Sequence, residues 1–137
     1  IDHLPKTIVH ADYNPRNIGF RNFAQRWSVL ILDWECVRWD LPQYDIAQFL
    51  LYTSTPATIV ERCAHYLEYC RHFMQNISGL PLDKREWLLG FKAAVKAHLI
   101  DRAPLMGLIF ILYPGAKINI GVLMYQNAQA LIRAWGE

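Results

Sequence analysis

Apolar and polar positions follow one pattern before residue 40 and another after it. Three short apolar runs, at residues 7–9, 18–20 and 28–32, have the composition of strands. The polar stretch 21–27 suits a hairpin connection between the second and third runs. Beyond residue 40, apolar positions recur every three or four residues, which is typical of helices that bury one face. We therefore expect an α+β protein in which short strands precede a helical part.

The helical part is expected to begin with a short buried helix over residues 44–52. Thr55-Pro56 predicts the start of a second helix, because a capping residue precedes proline at the first helical position. The second helix is expected to end near residues 78–81, and one of its faces carries Ile59, Val60, Cys63, Tyr66, Leu67, Cys70 and Phe73.

A third helix is expected to follow the capping-box pattern of residues 83–86. Pro104, Pro114 and Gly115 are expected to break the chain. The apolar stretch 103–113 is interpreted as a buried helix or a turn-rich core segment. A last amphipathic helix is expected to carry Ile118, Val122, Tyr125, Ile132 and Trp135 on one face.

The composition adds a question about completeness. A chain of 137 residues has the length of one domain. For a free-standing domain, its hydrophobic fraction of 53% is high and its charged fraction of 19% is low. A helix-rich core with large aromatics would explain this, and so would a fragment whose apolar face meets another part of the protein. The first residue is Ile1 and not Met, so we favour the fragment.

Charge and cysteine usage exclude several classes. The net charge of +2 comes from scattered basic residues, which argues against nucleic acid as a partner. Three cysteines without a Cys-x-x-Cys pair indicate reduced thiols and a cytoplasmic location, with Cys63 and Cys70 packed in the core. No signal peptide is visible, and the longest apolar stretch, 103–113, is too short to span a membrane.

One group of polar residues has the composition of a catalytic and metal-binding site. His10-x-Asp12 is followed by Asn17, and Asp33 comes directly after the strongest predicted strand. Phosphoryl transfer needs one carboxylate to orient the attacking hydroxyl and accept its proton. It also needs carboxylate and amide oxygens to hold Mg²⁺, which prefers oxygen ligands. Asp12, Asn17 and Asp33 supply such oxygens, and a strand–loop–strand frame would bring them to one edge of a small sheet.

These residues resemble the catalytic loop and metal-binding segment of the aminoglycoside phosphotransferase and choline kinase families, which are relatives of the protein kinases. The family pattern is His-Gly-Asp-x-x-x-x-Asn, then an apolar strand ending in Ile-Asp-Trp/Phe-Glu. Residues 10–17 and 30–35 follow it. A third segment, residues 42–47, is similar to the family's Asp-Pro-x-Tyr-Asp-Leu-Ala. The three segments occur in the family's order.

The resemblance implies a role for each matching residue. Asp12 would be the catalytic base, and His10 would brace the catalytic loop. Asn17 and Asp33 would bind Mg²⁺ and, through it, ATP. Asp45 would sit at a helix N-terminus and accept hydrogen bonds from amides of the catalytic loop.

Some positions depart from the family pattern or stay open. Glu35 would hold a metal-bound water or would simply be a solvated residue at a strand end. Ala11 replaces the usual glycine, which we interpret as a small change. Asn14 and Arg16 stand where the family often has His and Gly, and Arg16 is interpreted as solvated rather than as a phosphate ligand.

The resemblance also implies the architecture, a protein-kinase-like C-terminal lobe with a small β-hairpin sheet followed by a helical bundle. Residues 1–137 would form one catalytic lobe, with the catalytic loop and metal-binding strands in 1–40 and a substrate-binding helical region in 41–137. A nucleotide-binding N-lobe with a glycine-rich loop has no counterpart in the sequence. We therefore expect the isolated chain to bind ATP weakly and to turn over little.

The function implied is ATP-dependent phosphorylation of a hydroxyl on a small molecule, such as an aminoglycoside, choline or an amino alcohol. Two alternatives are a non-catalytic kinase-like binding module, or pseudokinase, and an unrelated helical interaction domain with chance motifs.

For three further groups of residues we favour a structural interpretation over a functional one. His65 and His72 lie seven apart without further zinc ligands at suitable spacing, so they are interpreted as surface residues. Asp101-Arg102 could line a substrate cleft, but a solvated helix end is the preferred interpretation. Four tryptophans could box a cationic ligand, although core or interface positions are commoner for Trp34, Trp39, Trp87 and Trp135.

Overall fold

A computed structural model of the chain describes residues 3–112 and 119–136. Within these ranges the α+β class expected from the sequence is confirmed. The strands are β1 (Thr7–Val9), β2 (Ile18–Phe23), β3 (Arg26–Ile31) and β4 (Arg38–Asp40). The helices are α1 (Gln43–Thr53), α2 (Ile59–Ser78), α3 (Lys84–Leu112) and α4 (Asn119–Ala134). Short 3₁₀ turns occupy Pro15–Asn17 and Trp34–Cys36. Among the described residues, none of the helices has the length and apolarity needed to cross a membrane.

The predicted hairpin is present, but its connection is shorter than expected. Strands β2 and β3 pair antiparallel from Ile18 opposite Ile31 to Phe23 opposite Arg26. Only Ala24 and Gln25 form the turn, and both have positive φ angles, 48° and 63°. The interpretation of the whole stretch 21–27 as the hairpin connection was therefore wrong, because residues 21–23 and 26–27 belong to the strands. A two-residue turn with left-handed residues matches the twist of the paired strands.

A second antiparallel pair joins the two ends of the strand region. Residues Thr7–Val9 of β1 pair with Arg38–Asp40 of β4, so that Thr7 lies opposite Asp40. Strand β4 was not predicted from the sequence, and the described residues form two small sheets where one was expected. The β1–β4 pair brings the start of the strand region next to the start of α1, and this frames the loop between β1 and β2.

Two helix boundaries differ from the expectation. Helix α2 begins at Ile59 and not at Thr55, because residues 56–58 form a turn before it. Pro104 does not break the chain, since α3 continues through it to Leu112. Proline lacks an N–H, so a helix that continues through Pro104 forgoes one backbone hydrogen bond. The expected breaks at Pro114 and Gly115 lie outside the described residues.

Helix α1 lies at the centre of the helical part and packs against α2, α3 and α4. Ala47, Leu50 and Leu51 on α1 are at most 1% exposed. Burying one such leucine side chain stabilises the fold by about 1.5–3 kcal/mol relative to leaving it exposed. The core also contains Ile59, Cys63, Leu67, Trp87, Phe91, Val95, Met124, Ala128 and Leu131.

Four residues of the apolar stretch 103–113 are exposed, although the stretch was expected to be buried. Leu105, Leu108, Ile111 and Leu112 lie on α3 and are exposed. The expected burial is therefore wrong for these four residues.

The cysteines and tryptophans have separate environments. Cys63 is buried, and burial raises the pKa of its thiol to about 12, so it stays a protonated core residue at neutral pH. Trp87 is buried and donates to the Leu67 carbonyl, whereas Trp39 on β4 is exposed. Trp135 packs edge-on against Phe91. The tryptophans thus contact different partners, which argues against a shared cation box.

His98 couples the stability of this core to pH. Its Nε2 lies 2.9 Å from the Tyr44 carbonyl oxygen, and the side chain is 0% exposed. Burial lowers the pKa of His98 from 6.5 to about 4. The unfolded chain therefore binds a proton more tightly than the folded chain, so stability is complete above pH 6.5 and falls as the pH drops toward 4.

We expect the free energy of unfolding to be lower at pH 5 than at pH 7 by about 2 kcal/mol through this residue. His98→Gln keeps an amide donor for Tyr44 but does not titrate, so it should lose this share of the pH dependence. Urea unfolding of both variants at the two pH values measures the difference. Equal pH dependence of the two proteins would contradict the assignment.

Candidate active site

The loop between β1 and β2 is attached to the first turn of α1. The Asp45 carboxylate accepts the backbone N–H of His10 at 2.7 Å and that of Ala11 at 2.9 Å. Burial raises the pKa of the Asp45 carboxyl above its ordinary value, and the two backbone hydrogen bonds oppose this rise. One helical carboxylate therefore fixes the conformation of two successive loop residues.

His10 lies inside this loop and is buried. Its Nε2 is 2.7 Å from the Leu32 carbonyl oxygen, and its Nδ1 accepts the Asp12 backbone N–H at 3.2 Å. A carbonyl only accepts and an amide only donates, so the proton of the ring is on Nε2. The ring also packs 4.8 Å from that of Trp34. The imidazole thus joins the loop to the segment that follows β3.

Ala11 is strained where the family pattern has glycine. Its φ angle is +61°, in the left-handed region where a Cβ costs roughly 1–2 kcal/mol. The interpretation of this substitution as a small change was therefore wrong. The strained conformation aims the Ala11 N–H at Asp45 and its carbonyl oxygen at Arg102, so contacts on both sides hold it.

Asp12 and Asn17 contact each other directly. Asn17 Nδ2 donates to Asp12 Oδ2 and to the Asp12 carbonyl oxygen, both at 2.9 Å. Because its nitrogen is engaged by Asp12, the oxygen of the same amide is directed away from Asp12. The two side chains thus present a carboxylate and an amide oxygen side by side.

Asp33 directly follows Leu32, the residue opposite Asn17 at the end of the hairpin. The Leu32 N–H donates to the Asn17 carbonyl at 2.8 Å, which extends the ladder by one residue at the end that carries Asp33. Asp33 has a φ angle of +61°, and its side chain makes no capping hydrogen bond to the 3₁₀ turn that follows. It is exposed, so its carboxylate oxygens are accessible to a ligand.

The remaining loop residues have local roles. Asn14 is buried, donates to the Asp12 carbonyl and accepts from both the backbone and the side chain of Arg16. Arg16 is exposed, as expected. Glu35 is exposed in the Trp34–Cys36 turn, two residues beyond Asp33.

Gln48 and Arg102 contact Asp12, although neither contact was predicted from the sequence. Gln48 on α1 accepts the Tyr13 N–H at 2.9 Å and donates to Asp12 Oδ1 at 3.2 Å. Arg102 on α3 donates to the same Oδ1 at 3.3 Å, so the preferred interpretation of Arg102 as a solvated helix end was wrong. Spacing could have indicated Gln48, since it lies three residues after Asp45 and therefore on the same helix face.

The surroundings of Asp12 are aromatic and cationic. Tyr52 on α1 lies within the electrostatic reach of Arg102, Asp12 and Arg16, and burial raises the pKa of its hydroxyl. The Tyr13 ring packs 5.6 Å from Phe49.

Other polar groups lie outside this constellation. His65 and His72 on α2 are exposed, as expected, and His72 pairs with Glu68 at 3.0 Å. The Asp101 carboxylate accepts from the Tyr44 hydroxyl at 3.5 Å and makes no contact with the groups around Asp12 that are described above. No group of three or more His, Cys, Asp or Glu residues suited to a metal occurs among the residues that the structure describes.

Comparisons with known proteins agree with this geometry at the level of the family. Neither the comparison with curated proteins nor that with solved structures gave a match. The family model described as "Phosphotransferase enzyme family" matches residues 1–77, which include all three motif segments. Since the match covers more than half of the 137 residues, the chain belongs to the phosphotransferase enzyme family.

Proposed function

We propose that the protein transfers the γ-phosphoryl group of ATP to a hydroxyl of a small molecule, with Asp12 as the base. The observation that supports this most is the arrangement of the loop. Asp45, Gln48 and Arg102 fix Asp12 or its neighbours from two helices, while Asn17 and Asp33 lie at the adjacent end of the hairpin.

The proposed reaction asks the chain mainly to position groups, since phosphoryl transfer depends on alignment and on charge stabilisation. Asp12 would orient the acceptor hydroxyl and take its proton. Its side chain is 25% exposed, so a small molecule can reach it from the solvent side. Arg16 and Arg102 add positive charge near a site where negative charge would develop.

The oxygen donors present fit a magnesium ion. Asn17 Nδ2 is engaged by Asp12, which directs the amide oxygen outward, and the exposed Asp33 follows Leu32, whose backbone N–H donates to the Asn17 carbonyl. Carboxylate and amide oxygens are hard ligands of the kind that Mg²⁺ prefers. Bound Mg²⁺ would neutralise charge on the nucleotide phosphates. Asp33 and Asn17 would hold it, with Glu35 as an outer partner through water.

The nucleotide is proposed to lie between this lobe and a second one. One face of the β2–β3 hairpin carries Phe20, Trp27 and Val29, which are 58–70% exposed. Exposed apolar clusters of this kind usually meet another surface. A nucleotide-binding lobe, on this chain or another, is the proposed cover, and this supports the expectation that residues 1–137 alone bind ATP weakly.

A substrate panel tests the proposed function. The complete protein is incubated with labelled Mg·ATP and aminoglycosides, choline, ethanolamine, amino alcohols and sugar alcohols, and transfer of label is measured. Label on an acceptor hydroxyl is the expected result. Failure to bind Mg·ATP, together with no transfer to any acceptor, would instead favour a non-catalytic binding module.

The metal site gives a prediction that does not depend on the acceptor. Asp33→Asn removes a charged ligand, so we expect Mn²⁺ binding in the presence of ATP to weaken about 10–100-fold. Electron paramagnetic resonance of free Mn²⁺ measures this binding. Asp40→Asn, a carboxylate that pairs with Arg38, is the matched control and should bind Mn²⁺ like the wild type. Equal binding by Asp33→Asn and the control would contradict the assignment.

A further inference from the structure

The two oxygens of the Asp12 carboxylate are not equivalent. Oδ1 receives two donors, Gln48 Nε2 at 3.2 Å and Arg102 Nη2 at 3.3 Å. Oδ2 receives one donor, Asn17 Nδ2 at 2.9 Å. Each carboxylate oxygen offers about two lone-pair directions, so Oδ1 is saturated and Oδ2 keeps one direction open.

The donors to Oδ1 are themselves held in place. Gln48 is 0% exposed, and its Oε1 accepts the Tyr13 N–H, so its amide can face Asp12 only with its nitrogen. Arg102 uses the same Nη2 atom for Asp12 and for the Ala11 carbonyl at 2.9 Å. Both contacts are polar and partly shielded from water, which makes them stronger than exposed pairs.

From this geometry we infer that Gln48 and Arg102 are positioning residues that fix Oδ1, so that Oδ2 is the atom that accepts the acceptor's proton. The inference rests on the proposed function. As the acceptor oxygen forms its bond to the γ-phosphorus, its proton moves to Asp12 Oδ2. The bond from the γ-phosphorus to the bridging oxygen of ATP breaks, and ADP leaves with that electron pair.

Arg102 adds a consequence for the helical region. It lies on α3, whereas Asp12 lies in the β1–β2 loop, 90 residues earlier in the chain. A shift of α3 on acceptor binding would therefore move Oδ1 directly. The position of the base thus depends on the part of the chain expected to bind the acceptor.

The test compares Arg102→Met with Arg102→Lys in the complete protein. Methionine removes the donor, so kcat should fall about 10–100-fold while KM for Mg·ATP stays within about twofold. A single nitrogen makes both Arg102 contacts, so lysine can supply a donor at nearly the same place and should recover most of kcat. Arg85→Met, an exposed arginine on the same helix, is the control and should leave kcat unchanged.

The outcomes separate two kinds of failure. An Arg102→Met variant with wild-type kcat, or equal losses in the methionine and lysine variants, would overturn the inference while leaving the kinase proposal intact. A wild-type protein that transfers no phosphate would overturn the kinase proposal and the proton step with it.

Nuclear magnetic resonance tests the contacts of Gln48 and Arg102 with Asp12 directly. In ¹⁵N-labelled protein, Asp12→Ala should shift the Gln48 side-chain amide and Arg102 guanidinium signals. Unshifted signals would show that neither group contacts Asp12.

Discussion

Replacing Asp12 with asparagine in the complete protein is expected to lower kcat by about 10²–10⁴-fold, the usual contribution of a positioned base. The amide keeps an oxygen that can accept from Gln48 and Arg102, so the loop should retain its shape. It cannot accept the proton of the acceptor hydroxyl. The substitution removes the side-chain bond from Asn17, because the new amide nitrogen cannot accept, but Asn17 Nδ2 still donates to the backbone carbonyl oxygen of residue 12 at 2.9 Å. Its amide oxygen should therefore stay directed outward, and KM for Mg·ATP should change little.

The measurement is steady-state ADP release with an acceptor that the wild-type protein phosphorylates. Asp83→Asn serves as a control, since Asp83 caps α3 away from the β1–β2 loop through the amides of Arg85 and Glu86. An Asp12→Asn variant that keeps kcat within about threefold of wild type would refute the role of Asp12 as base, because that difference is under 1 kcal/mol of barrier.

Asp45→Ala is expected to have the largest effect on stability, a loss of about 2–5 kcal/mol. The substitution leaves the N–H groups of His10 and Ala11 without a partner, and an unsatisfied buried donor costs about 1–3 kcal/mol. It also removes the contact that holds Ala11 in its left-handed conformation. Kinase activity should be lost together with stability, because the same two residues precede the proposed base.

Urea unfolding at pH 7 measures the Asp45→Ala effect. Glu61→Ala is a matched control, because Glu61 is also acidic and lies in the first turn of a helix, but on the surface of α2. The helix-dipole contribution is therefore similar in both variants, and the difference reports the two loop bonds. Equal losses in the two variants would mean that the bonds from Asp45 to the loop add nothing to stability.

The strand region could largely be predicted from the sequence because its signals are local. The β-branched run at residues 7–9 is β1, and the apolar stretch 28–32 covers most of β3. Strand β4 was missed because a three-residue strand is defined by its partner, and three residues are too few for alternation to identify a strand. Pro104 was misjudged because proline disfavours a helix interior without forbidding it, and α3 continues through Pro104.

The residues of the candidate site could also be predicted only where their signals are local in the sequence. Residues 10–17, 33 and 45 could be singled out because they fall in segments with a recognisable order and spacing. Arg102 could not be paired with Asp12, since only the fold brings together residues 90 positions apart. The strain at Ala11 was equally hidden, because a φ angle depends on contacts that the sequence does not display.

The hydrogen bonds that hold the β1–β2 loop have a consequence for the order of folding. Those from Asp45 and Gln48 span 34 to 36 residues, and the bond from Arg102 to Asp12 spans 90. Contacts so distant in sequence form only after the intervening chain has closed its loops. The β2–β3 hairpin has local contacts and can form early, whereas the loop that carries Asp12 becomes ordered only when α1, and then α3, have docked.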